Sequence, residues 1–398
     1  MGKIYRGSHC TFAAHSAEDS TVGFLESTAA SLRPIPFAPE IPTEISEARP
    51  RLIQQALERG VCIGIPHTFK KSIDFSHIKK RGWVVQELTL SPRVAHFSDG
   101  YMYWDCEHTT MPRSVAHKAE PSTQSRVVVK IIGTGINFIE SWINLVTEYS
   151  KCDLTFEADK LFAISGIAAE WGTNLGAGVG TQYHAGVFEC TLPQALLWYR
   201  AGKTLTRFEG RAPSWSWASA DGPLQFMNAH KSTIVTVFKL VDSDGNRYKL
   251  TGSLSVMEAE LTDEKMFFGA GTLGFEAGGT PSALRPRAVG ICGFSLSVRG
   301  YEKVRSHPDD FMKGDYKRGY GAQAVMDDSS NVARQLFVAR ICMMRTNWDE
   351  YKCQREFLLI LEPVDEYASR FRRIGVGTAL VNSWGDFFWP EPQEITII

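Results

Sequence analysis

The apolar positions of this chain change period several times, and each change marks an element. Val84, Val85 and Leu88 fall on one helical face, with Trp83 and Glu87 on a neighbouring face at i and i+4. Pro92 disfavours helical backbone at Ser91, so the pattern predicts a short helix that stops there. Two β-rich runs follow, Arg93 to Phe97 and Tyr101 to Cys106. Between them lies Ser98-Asp99-Gly100, whose Asp-Gly pair favours the positive φ of a tight hairpin. Near the start, Cys10 to Ala14 reads as a short buried strand. Residues 155–171 set Leu161, Ile164, Ala168 and Trp171 on one stripe, the mark of an amphipathic helix. TLPQALLWYR predicts another helix, with Thr191 as N-cap and Pro193 in the first turn.

After Arg211 the period falls to two. APSWSWASADG alternates Trp215 and Trp217 with serines, which predicts a half-buried strand with tryptophans inward and serines outward, closed by an Asp221-Gly222 turn. β-rich runs continue at Leu254–Leu261, Ala288–Val298, Gln335–Met344, Phe357–Val364 and Arg373–Val381, separated by Gly, Asp and Pro. They imply a curved antiparallel sheet, a sandwich or an open barrel.

Three stretches break the pattern. Residues 32–50 carry five prolines and read as a connector. RLIQQALERGVCIGI follows, helical up to Gly60 and strand-like beyond it. Residues 107–127 are polar and irregular, and 172–186 are glycine-rich. The expected class is α+β, with a helix–hairpin unit over 1–110, a mostly helical connecting region over 111–210 and a β-rich domain over 211–398.

Composition narrows the function classes. The chain has 398 residues, 43% hydrophobic and 22% charged, enough for a sizeable core. A net charge of −1 leaves no global field to recruit nucleic acid or an anionic membrane, and no long apolar span appears. Eight cysteines form no C-x-x-C pair and there is no signal peptide, so the expectation is free thiols in a reducing, cytoplasmic compartment. Cys106, Glu107 and His108 lack a second ligand pair, so no metal site is expected. Gly176-Ala177-Gly178-Val179-Gly180 departs from the phosphate-cradling G-x-G-x-x-G and reads as a loop. No G-x-S-x-G elbow occurs.

Glu87 carries two readings. Beside Trp83 and partly desolvated, it has the setting of an acid–base carboxylate. Equally, it suits a structural role, accepting backbone N–H groups or pairing with Arg81 or Arg93 to lock helix to hairpin.

Several segments together resemble the heterokaryon-incompatibility (HET) domain proteins of filamentous fungi. Arg81-Gly82-Trp83-Val84-Val85-Gln86-Glu87-Leu88, continuing through Ser91-Pro92-Arg93 to His96-Phe97 and then Tyr103-Trp104-Asp105-Cys106, is similar to that family's RGWTLQERLLSPRVLHF and its aromatic-Trp-Glu-Cys run. Ile4-Tyr5, Thr11 to Ala14 and Ser20 to Phe24 resemble its IY segment. Asp159 to Ala168 resembles DKLPALSGIA, and Ala212 to Gly222 resembles APSWSWAS-x-DG. Arg373 to Gly377 and Ile395 to Ile398 also fit. The family's opening LSYCWG-like strand, YLWIDSLCI-like strand and DW-x-x-E helix are not in this chain, which starts at the IY segment.

The resemblance implies the C-terminal part of a domain related to Toll/interleukin-receptor (TIR) domains. It also implies a truncated interaction or regulatory role in non-self recognition and programmed cell death. Some TIR domains cleave NAD with a helix-borne glutamate, and by order of elements that glutamate corresponds to the absent DW-x-x-E helix. The second reading is therefore a TIR-like NAD hydrolase using Glu87, with NAD as substrate and no bound cofactor. The third is a fragment of an incomplete gene model without independent function. Protein partners or self-association are expected, since missing strands leave an exposed sheet edge near residues 10–14. Arg81, Gly82, Trp83, Gln86, Pro92, Arg93, Trp104, Asp159, Trp215, Trp217, Asp221 and Gly222 carry the family motif and are expected to be structural.

Overall fold

The computed structural model describes residues 1–21, 23–24, 35–36, 62–63, 73–74, 76–98, 101–106, 110–113, 136–175, 182–201, 206–227, 234–236, 239–243, 248–252, 254–262, 293–297, 320–327, 336–348, 351–365, 370–381 and 391–398. The chain divides into two compact units, Met1–Lys130 and Ile131–Ile398. The architecture is α+β.

The described part of the first unit centres on a four-stranded sheet and two helices. Helix α1 (Gly2–Arg6) leads into β1 (Thr11–Ala14), and α2 (Gly82–Leu90) precedes β2 (Arg93–Ser98), β3 (Tyr101–Cys106) and β4 (Thr110–Arg113). Strand β1 runs parallel to β2, while β2, β3 and β4 form an antiparallel meander. The helix ends at Leu90, with extended backbone at Ser91, as Pro92 requires. The β2–β3 register pairs Ser98 with Tyr101, as a two-residue turn demands, although Asp99 and Gly100 lie outside the described residues. Residues 110–113 correct the reading of 107–127 as irregular. They pair with Met102–Asp105, because an open β3 edge offers more to TMPR than its own weak periodicity signals. The helix expected before Gly60 and most of the 32–50 connector lie outside the described residues.

The second unit combines two helices, an aromatic core and a large sheet. Helix α3 (Ile136–Tyr149) lies within the region expected to be mostly helical, at a position the periodicity did not single out. Helix α4 (Phe162–Leu175) follows a 3-10 turn, Glu157–Lys160, and buries Ile164, Ala168 and Trp171 as the stripe predicts. TLPQALLWYR is not a helix. It forms two 3-10 turns, Glu189–Thr191 and Gln194–Leu196, then a strand, Trp198–Arg200, paired with Leu224–Phe226. Ala195 to Arg200 is buried continuously, and periodicity cannot separate a short buried strand from a helix.

SWSWAS departs in a different way. Residues 217–219 form a 3-10 turn, and Ser214, Ser216 and Ser219 are buried along with both tryptophans. The serine hydroxyls bind backbone carbonyls of Ile398, Ala185 and Ser216 respectively. Local side-chain hydrogen bonds replace the ladder that period two implied.

Six strands close on themselves: β5 (Leu254–Thr262), β6 (Gly293–Ser297), β7 (Tyr320–Met326), β8 (Leu336–Trp348), β9 (Tyr351–Pro363) and β10 (Arg370–Val381). β5 pairs with β6, β6 with β7, β7 with β10, β10 with β9, β9 with β8, and β8 back with β5, all antiparallel. Where the sequence left a curved antiparallel sheet, a sandwich or an open barrel, the six strands form a closed ring, which removes the free edges an open sheet would carry. Strands Ile234–Thr236, Lys239–Ser243, Tyr248–Gly252 and Gln393–Ile397 extend it outward. In β9 the five residues Phe357 to Leu361 are all buried, so this part of the sheet is covered on both faces.

Candidate functional site

Glu87 sits on the last turn of α2, half-buried, with Trp83 one turn earlier and also half-buried. The Tyr5 phenol of α1 lies within electrostatic reach of the Glu87 carboxylate. Burial, followed by the charge of Glu87, pushes the Tyr5 phenol above its ordinary value, and Arg81 opposes the shift. The backbone of Glu87 is engaged as well. Ser91 Oγ donates to its carbonyl at 2.6 Å, and Thr11 Oγ1 lies 2.7 Å from Ser91 Oγ. Since Ser91 spends its hydrogen on Glu87, Thr11 donates to Ser91. One orphan carbonyl at the end of α2 is thereby satisfied, and the helix end is tied to β1.

The neighbouring motif residues frame this joint. Arg81 is exposed at the helix start, Gly82 and Gln86 are buried, Pro92 is half-buried, and Arg93 reaches the His9 carbonyl at 3.3 Å. Trp104 is half-buried, opposite Ala95 in the hairpin.

A second cluster lies on the same sheet, assembled from residues not singled out beforehand. His15, just past β1, is 2 % exposed; its Nδ1 lies 2.7 Å from Ser76 Oγ and its Nε2 2.8 Å from His96 Nδ1. His96 Nε2 faces Asp105 Oδ2 at 3.9 Å, and both residues are buried. Proton counting gives the chain a direction. Ser76 Oγ donates to the Ile73 carbonyl at 2.7 Å, so it accepts from His15 Nδ1–H; His15 Nε2 then accepts from His96 Nδ1–H. Burial, with the charges of His96 and Lys79, holds His15 down at about 3. An imidazole that weak is a poor general base at neutral pH, and Ser76 has already committed its hydrogen. The Ser–His–His–Asp chain therefore ties strands together and does not activate a nucleophile.

In the second unit the motif residues converge on Asp221. Arg211 binds both its oxygens, Nη1 and Nη2 at 2.9 Å each, and buried Lys160 donates to Oδ1. Burial works to raise the Asp221 carboxyl, but the hydrogen bonds from Arg211 and Lys160 outweigh it and hold it below the ordinary range. Burial lowers Lys160, against the pull of Asp221. Asp159 is half-buried in the turn that delivers Lys160, and Gly222 takes φ +119° directly after Asp221. Trp217 and Trp142 both give their indole N–H to the Gly186 carbonyl, at 2.7 and 3.1 Å, and Trp198 gives its own to the Trp215 carbonyl at 2.9 Å.

Deeper still, Arg373 is fully buried, its guanidinium carbon 3.4 Å from the Trp198 ring centroid. Its Nη1 donates to Asp327 Oδ2 at 2.7 Å, and Arg207 donates to the same oxygen. Burial lowers Arg373 to about 10 despite Asp327.

Among the described residues no group of three or more His, Cys, Asp or Glu side chains is arranged to hold a metal. Glu107, His108 and the 176–180 glycines lie outside them. Cys10, Cys106, Cys152, Cys190 and Cys342 are free thiols. No described helix is long and apolar enough to cross a membrane. No protein-family model, curated protein or solved structure matches the chain.

Proposed function

We propose that this chain is an interaction or regulatory protein of the HET-domain kind, acting in fungal non-self recognition and cell death from the cytoplasm. The observation that carries this reading is the ordered run of motifs from Ile4-Tyr5 to Ile395–Ile398, which spans most of the chain. The parallel pairing of β1 with β2 supports a TIR-like ancestry for the first unit, because parallel neighbours need a crossover connection. Self-association or a protein partner fits β1, which has one neighbour among the described strands and leaves Phe12 69% exposed. Inducible expression in a fungal host tests the reading: growth arrest, or altered toxicity of a co-expressed HET protein, is expected. A host unaffected in both respects counts against it.

The second reading, an NAD hydrolase using Glu87, is favoured by a half-exposed carboxylate one turn from Trp83. Against it stands the engagement of the Glu87 backbone in the helix–strand joint, where Ser91 Oγ donates to its carbonyl at 2.6 Å. Incubation with NAD decides between them. Absence of nicotinamide release at high protein concentration eliminates hydrolysis by this chain alone, and release undiminished in Glu87→Gln eliminates Glu87 as the catalytic group.

A further inference from the structure

Phe156 and Phe162 are 68% and 67% exposed, and they flank the 3-10 turn Glu157–Lys160. Polarity in this turn is inverted: the lysine at its end is 2 % exposed while the phenylalanines on either side face solvent. Lys is almost never fully buried, and Phe is among the residues most readily buried. Rolling the turn over would return Lys160 to water and offer a phenylalanine to the core.

Four bonds hold it in the costlier orientation. Lys160 Nζ donates to Asp221, and the Tyr149 hydroxyl to the Lys160 carbonyl at 2.7 Å. Asp159 N donates to the Phe156 carbonyl at 3.1 Å, and Arg211 Nη1 to the Glu157 carbonyl at 3.5 Å. The outward aromatic rings are therefore presented on a braced turn.

The setting specifies the partner. Arg211 also stacks on the half-buried Phe208, 4.4 Å from its centroid, and so adds a third ring beside Glu157. Among the described residues the acidic groups beside these rings, Asp153, Glu157 and Glu209, are exposed, whereas Lys160 and Arg211 are already spent on Asp221 and Lys151 on Glu148. Arg372 lies 3.8 Å from Glu209 and is shared with Glu362 at 3.9 Å. An acidic rim repels anionic lipid and nucleic acid, and it attracts a basic protein surface.

We propose that the Phe156–Phe162 turn docks a segment of another protein that carries large apolar side chains among Lys or Arg residues. The proposal does not rest on the family reading.

The test uses the full chain, immobilised, and a display library of random 16-residue peptides. Enriched peptides should combine apolar residues with Lys or Arg. Their affinity should fall about tenfold or more in the double variant Phe156→Ala, Phe162→Ala, in keeping with loss of aromatic anchors. Glu157→Lys should weaken the same peptides and flatten their salt dependence. Thermal unfolding of the double variant should match wild type, since both side chains face solvent. No enrichment, acidic enrichment, or affinity indifferent to the double variant overturns the proposal. So does binding to phosphatidylserine vesicles lost in that variant, which assigns the patch to membrane, or dimerisation lost in it, which assigns the patch to a second copy.

Discussion

His15 and His96 stack with ring centroids 5.0 Å apart and share a hydrogen bond of 2.8 Å, both buried, although 81 residues separate them in the chain. The pair spans the parallel joint of β1 and β2, and through Ser76 and Asp105 it links four chain segments. Buried polar groups so connected specify one register, because a slip of one residue would strand each of them.

That pair makes stability fall in acid. His15 titrates at about 3 in the folded chain, below the 6.5 of an unperturbed histidine. Between those values the unfolded chain binds a proton that the folded chain refuses, so stability rises with pH. The His15 contribution is complete above about pH 6.5 and is lost progressively as pH falls toward 3. Urea midpoints measured from pH 7.5 to pH 4 should decline, and His15→Leu should flatten that part of the decline. An equal slope in the variant would remove His15 as its source.

Gly186 should tolerate no side chain. Its φ is +94°, and a Cβ there would lie 2.7 to 2.9 Å from Trp217 ring atoms. Gly210, at φ +78°, has open space around it. Gly210→Ala should therefore cost only the left-handed backbone strain, about 1–2 kcal/mol. Gly186→Ala should cost more, about 3 kcal/mol or above once overpacking is added, with a red shift in tryptophan emission. Equal costs in chemical denaturation would refute the contact argument.

Asp327 should matter far more than either arginine's exposure suggests. Asp327→Asn leaves Arg373 charged and fully buried, a loss of about 3–5 kcal/mol in urea unfolding. Arg207 is partly solvated, so Arg207→Gln should cost about 1 kcal/mol. A reversed order would mean that Arg207, not Arg373, dominates the cluster.

Glu87→Gln swaps a half-buried carboxylate for an amide of the same shape, so its effect on stability should stay within about 1 kcal/mol. Removing the carboxylate charge should also lower the Tyr5 phenol, read by its ultraviolet titration against a Tyr5→Phe control. A larger collapse would show that the carboxylate, and not only the Glu87 carbonyl, holds the joint together.

Helix α2 and the hairpin after it were legible because their signals are local. Pro92 stops the helix, and the Asp-Gly pair in the sequence predicts the register in which β2 faces β3. That register already sets Val94 opposite Asp105 and His96 opposite Tyr103, so His96 and Asp105 share a face by sequence arithmetic alone. Their partner His15 was not legible, since a parallel pairing across such a separation leaves no local trace. TLPQALLWYR and SWSWAS misled because short apolar runs do not reveal whether one face or every face is buried.

The sequence by itself determined where helix α2 stops, that the two hairpin strands meet, and that Trp215 and Trp217 lie inside. Only the tertiary structure decided which charges are spent. Asp221 gathers Lys160 from 61 residues away beside the nearer Arg211, Asp327 gathers Arg207 and Arg373, and six strands close a ring through the β8–β5 pairing. The reason is physical: turns and periodicity act over a few residues, whereas desolvated charge and sheet closure depend on which remote segments burial brings together.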